Sequence, residues 1–132
     1  MSMDSVIQHY EQVLYPDMNL GDVAAQVSGS KNHVFPVVNK QMQFLGAVYL
    51  DDIRHLVFRT ELYRDFSVSQ LMKQPEALLS VNDAMDVVVS VFDRTHAWTL
   101  PVVDADGNFV GFIRKSSVLS VYRQVLADFS ND

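Results

Sequence analysis

Asp51-Asp52 and Asp104/Asp106 are the paired carboxylates of this chain. Such groups serve general acid–base chemistry or accept hydrogen bonds from a hydroxyl-rich ligand. The first pair opens a predicted helix, where the dipole and a free N-cap position favour an acid. The second pair lies in a predicted hairpin turn with Gly107, where Asp and Gly tolerate positive φ. Local structure therefore accounts for both. His9, His33, His55 and His96 are scattered without metal-ligand spacing, so no metal site is expected. The serines include no Gly-x-Ser-x-Gly elbow, and no glycine-rich phosphate loop is present. With no catalytic constellation, the chain reads as a non-enzyme. Arg114, Lys115 and Arg123 read as solvated charges, the first two also able to attract phosphate. Trp98 reads as a half-buried packing residue with a ring face available for stacking.

The elements that position these residues form an internal repeat. From Ala97 to Arg123 the chain reads as strand, tight turn, strand, helix. The strands are Leu100–Val103 and Phe109–Ile113, with Gly111 in the return strand marking close backbone approach. Val34–Val38, a short polar turn, Phe44–Val48 and a helix opened by Asp51-Asp52 repeat it at an offset of 65 residues, which superposes Pro36 on Pro101 and Gly46 on Gly111. Upstream, Leu20, Val23, Ala24 and Val27 fall on Met85, Val88, Val89 and Phe92, both at the i, i+3, i+4, i+7 spacing of an amphipathic helix. Asn19 and Asn82-Asp83 are the expected caps of these two helices. Short strands are expected at Glu11–Tyr15 and Ala77–Val81. A weak helix is expected at Asp4–Tyr10, helical turns in the connector near Glu61–Phe66 and from Ser67 or Ser69 to Met72, and helices at Asp52–Phe58 and Ser117–Phe129, the latter capped by Ser116 or Ser117. The last helix is longer than its counterpart, so its outer end needs an apolar partner, either the N-terminal helix or another subunit.

The chain has 132 residues, is 48% hydrophobic and lacks cysteine, which suits a real core without disulfides or thiolate metal sites. A net charge of −6 argues against nucleic acid or an anionic membrane as partner. No apolar run approaches a membrane span and no signal peptide is visible. Met1-Ser2-Met3 reads as a cloning remnant or a cut edge, and the chain as a fragment of something larger.

A duplicated β-α-β-β-α unit, with Pro-Val-Val before each hairpin and Gly in each return strand, resembles a CBS domain pair, or Bateman module. The resemblance runs from about Leu14 to Val125. It implies an α/β (α+β) fold of two units packed with pseudo-twofold symmetry, with repeat one in residues 1–66 and repeat two in residues 67–132. It further implies clefts for adenosine nucleotides and pairing into homodimers. Leu50-Asp51-Asp52-Ile53-Arg54, Phe58-Arg59-x-Glu61-Leu62-Tyr63, Ala97-Trp98-x-Leu100-Pro101-Val102-Val103 and Gly111–Ser116 are similar to the C-terminal cytoplasmic tails of bacterial CLC-family chloride channels and antiporters. That implies a regulatory and dimerisation domain on the cytoplasmic face of the plasma membrane, joined to a membrane-embedded channel part. The alternative is a free-standing adenylate sensor.

Nucleotide-binding members of the CBS family carry Gly-h-x-Thr/Ser-x-x-Asp, whose Asp takes the ribose hydroxyls. Repeat one reads Gly46-Ala47-Val48-Tyr49-Leu50-Asp51-Asp52, keeping the Asp but with Tyr49 at the Thr position. Repeat two reads Gly111-Phe112-Ile113-Arg114-Lys115-Ser116-Ser117, with Ser117 replacing the Asp. The resemblance implies one cleft of Leu79, Trp98, Thr99 and Leu100 with Val48 and Asp52, taking ATP, ADP or AMP. It implies a second, lacking the carboxylate, of Val13, Asn32, His33, Val34 and Phe35 with Ile113, Lys115 and Ser117. Assembly is expected through the apolar ends of the helices at Ile53–Phe58 and Val118–Phe129.

Overall fold

The computed structural model describes residues 3–130, apart from the side chains of Val125, Phe129 and Ser130. The two hairpins form where the β-branched and aromatic runs predict them. β1 (Val34–Val38) pairs antiparallel with β2 (Phe44–Tyr49), and β4 (Thr99–Val103) with β5 (Phe109–Arg114). The registers match across the repeat, including an irregularity at Val37/Val38 and again at Val102/Val103. The turns match as well. The Asn39 side chain accepts from the backbone N–H groups of Gln41 and Gln43, and Asp104 accepts from Asp106 and Asn108 in the same way. Met42 and Gly107 occupy equivalent positions at φ 66° and 83°.

α1 (Leu20–Ser28) starts at Asn19, which forms a reciprocal capping box with Asp22. α3 (Val68–Leu71) is opened likewise by Ser67 with Gln70. α4 (Met85–Arg94) corrects an expectation. Its N-cap is Ala84, with no side-chain cap, while Asp83 accepts from the Ser80 N–H instead. α2 is shorter than expected, Leu50–Ile53, and continues as turns to Phe58. α5 (Lys115–Ser130) starts ahead of the serines, its first N–H bonded to the Trp98 carbonyl at 2.9 Å, so neither Ser116 nor Ser117 caps it. The strand expected at Glu11–Tyr15 is a single parallel bridge from Leu14 to Val37, and that at Ala77–Val81 narrows to β3, Leu79–Ser80. Asp4–Tyr10 forms a 3-10 turn at Met3–Ser5 and one antiparallel bridge from Gln8 to Phe112, not a helix.

The chain divides into a contiguous unit, Glu11–Gln74, and a split unit, Met1–Tyr10 with Pro75–Asp132. These compact units do not coincide with the sequence repeats expected in residues 1–66 and 67–132, because each hairpin is closed by a segment from the other stretch. Residues Met1–Tyr10 belong with the second repeat, because Gln8 and Phe112 exchange both backbone hydrogen bonds, at 2.8 and 3.0 Å. The residues around Lys73 belong with the first, through a like exchange with Ala47 at 2.8 and 3.0 Å. Met3, expected to belong to a cloning remnant or a cut edge, is buried in the split unit's core with Val6 and Ile7. That core also takes Phe92, Leu100, Ile113 and Val118, so the N-terminal segment partners the base of α5. Tyr122 and Leu126, further along α5, are exposed. The contiguous unit buries Leu14, Val23, Phe35, Val37, Val48 and Val68.

Candidate ligand site

In each unit the hairpin ends against the start of the following helix. The Leu50 N–H donates to the His33 carbonyl at 2.9 Å in the contiguous unit. Lys115 donates to Trp98 at the same distance in the split unit. Most of the expected ligand residues lie at these two strand ends, whereas Leu79 pairs with Val102 toward the other end of β4. The contiguous unit holds Val48 and Asp52 of the first expected set and Asn32, His33, Val34 and Phe35 of the second. The split unit holds Leu79, Trp98, Thr99 and Leu100 of the first and Ile113, Lys115 and Ser117 of the second.

Burial decides which of these can present a side chain. Val34, Phe35, Val48, Leu79, Leu100 and Ile113 are core residues, so only their backbones can reach a ligand. Thr99 is buried too, its hydroxyl donating to the Ile113 carbonyl at 3.1 Å. Trp98 is 46% exposed and keeps an accessible ring. His33 and Asp52 are exposed, whereas Asn32, Lys115 and Ser117 are half-buried.

Asp52 does not cap α2. It lies inside the helix, whose N-cap is Tyr49 without a side-chain bond. Its carboxylate pairs with Lys73, Nζ to Oδ2 3.0 Å, both side chains remaining accessible. Asp51 pairs separately with Arg54 at 2.7 Å. Sequence reading missed Lys73, which it left in the connector. The signal was available, because Lys73 stands 65 residues after Gln8 and bridges its own hairpin as Gln8 does.

Among the described residues, two further ionisable groups are perturbed. Burial pushes the Tyr10 phenol up, partly opposed by the Arg114 guanidinium, with the ring packed 5.1 Å from that of Phe112. A hydrogen bond from Arg59 holds the Glu61 carboxyl down, on a fully exposed surface.

The CBS domain family model matches residues 5–59 and 68–124. The chain belongs to the CBS domain family. It is a tandem CBS pair with a mixed α+β fold, and CBS domains are generally regulatory modules rather than catalytic ones. Among solved structures, CBSX2 in complex with AMP superposes with a TM-score of 0.75 at 20% identity, over 94% of this chain and 97% of that one. CbpB in complex with c-di-AMP gives 0.75 at 16% identity, over 99% and 90%. The CBS domain of a CBS domain-containing membrane protein from Sphaerobacter thermophilus gives 0.76 at 19% identity, over 91% and 86%. At these identities the likeness is one of fold. A curated Synechocystis protein named "Putative zinc metalloprotease" is 29% identical over 87 residues, 64% of this CBS pair. The match spans only 22% of that relative's length.

Proposed function

We propose that this CBS pair is a regulatory domain that binds an adenosine nucleotide, ATP, ADP or AMP, with the Asp52 carboxylate accepting the ribose hydroxyls. The observation that carries the reading is Asp52 itself. In a CBS fold it is an accessible carboxylate just past the glycine-bearing return strand, held by one solvent-exposed ion pair. The bound forms of CBSX2 and CbpB support an adenine ligand.

The host in this proposal is a CLC-type chloride channel or antiporter, with the pair on the cytoplasmic face of the plasma membrane. The similarity of Leu50–Arg54 and Phe58–Tyr63 to CLC tails supports it, as does the occurrence of the fold in a membrane protein. A ligand would act through different affinities for two arrangements of the host. The second reading is a free-standing adenine-nucleotide sensor. Apolar helices encoded upstream in the source reading frame would favour the channel host.

Thermal unfolding with millimolar ATP, ADP and AMP tests the ligand. A ligand at 100 times its Kd adds about 2.7 kcal/mol to folding stability, a rise of several degrees in Tm. The expected outcome is such a rise, abolished by Asp52→Asn. No shift with any of the three would leave the pair a structural module.

A further inference from the structure

We propose that Lys73 is a competitive latch on the Asp52 carboxylate, which a ribose must displace before both carboxylate oxygens can accept its hydroxyls. This rests on the nucleotide reading above. The ammonium lies 3.0 Å from Oδ2, on one of the two oxygens that a vicinal diol would use. The backbone of Lys73 is fixed by its two hydrogen bonds to Ala47, so the origin of the side chain is set and only its four-carbon stem moves. Lys73 is 60% exposed and Asp52 37%, so water screens the pair and replaces it readily when it opens.

The second repeat supplies an internal comparison. At the same 65-residue offset Gln8 stands for Lys73 and Ser117 for Asp52, with Gln8 bridged to Phe112 as Lys73 is to Ala47. The bridge is present in both units, whereas the charges are present in only one. Cation and carboxylate occur together in one unit and are absent together from the other, so the lysine accompanies the acid and not the fold. The latch also selects among ligands. Adenosine displaces the ammonium without offering it a new partner, whereas AMP carries a phosphate that a released ammonium can meet.

Titration calorimetry with adenosine and AMP on the wild-type chain, Lys73→Met, Lys73→Arg and Asp52→Asn tests this. Lys73→Met should tighten adenosine by up to about fivefold, the ceiling for an exposed pair. It should also narrow the preference for AMP over adenosine. Lys73→Arg, which keeps the cation, should behave as wild type, and Asp52→Asn should lose both ligands. Adenosine affinity unchanged or weakened in Lys73→Met, with AMP still bound in an Asp52-dependent way, overturns the latch alone. Absence of binding to wild type and Lys73→Met alike overturns the nucleotide reading and the latch with it. Circular dichroism of each variant confirms that the bridge to Ala47 has kept the fold.

Discussion

Met42 and Gly107 perform the same backbone task with unequal chemistry. Both close a turn at positive φ, 66° and 83°, but only glycine does so without steric cost. A side chain in that region costs about 1–2 kcal/mol. The larger unfolded freedom of glycine cancels about 0.5–1 kcal/mol of any gain from removing it. Met42→Gly should therefore stabilise the chain by about 0.5–1 kcal/mol, a rise of a few degrees in Tm on a melting curve. Gly107→Ala should lower Tm, although an added Cβ meets nothing within 4 Å, because its cost is purely conformational. The second turn was legible as Asp-Ala-Asp-Gly. The first was legible only as a polar turn, since its geometry comes from one side chain, Asn39, binding two N–H groups. The family resemblance singled out Asp52 as a candidate acceptor, but the ion pair that occupies it depends on a bridge between residues far apart in the chain.

Each hairpin is closed on its outer edge by a segment from elsewhere in the chain, and glycine makes the approach possible. A Cβ on Gly111 would lie 2.5 Å from the Gln8 carbonyl oxygen and 2.6 Å from Ile7 Cγ2. On Gly46 it would lie 3.1 Å from the Lys73 carbonyl oxygen and 3.1 Å from Met72 Sδ. Gly111→Ala should thus destabilise by about 1–3 kcal/mol or more, and Gly46→Ala by less, as chemical denaturation of the two variants would show. Equal losses would mean that the bridges yield alike. The strand–turn–strand units and the two amphipathic helices were legible because their periodicities are strong and occur twice. Helix starts were not. Asp83 is a good capping residue, yet its carboxylate accepts from the Ser80 N–H and α4 begins two residues beyond it. Ser116 and Ser117 lose their capping role because α5 follows β5 without a break. The segment assignments at Gln8 and Lys73 lay beyond local pattern, since a single bridging residue has no periodicity.

At the scale of the molecule, assembly is the property that exposed apolar side chains address. Phe58 is 89% exposed at the end of the turns after α2, beside a groove of about 410 Å³ lined by Gly21, Ala24, Val57 and Tyr63 among others. An aromatic so placed favours a covered state. If the homodimer that the CBS resemblance implies uses this face, sedimentation equilibrium should give a dimer for the wild type and a monomer for Phe58→Ser, and a wild type already monomeric would rule that homodimer out. The split unit has a further consequence, for synthesis on the ribosome. Every bridge of Glu11–Gln74 is available once Gln74 has emerged, so that unit can close while the chain is still growing. Val6 and Ile7 leave the exit tunnel early but have no core to enter until Phe112 and Val118 follow. While residues 8 to 112 are being added, the nascent chain therefore carries an apolar segment whose partner is still unmade, a ligand suited to a chaperone at the exit.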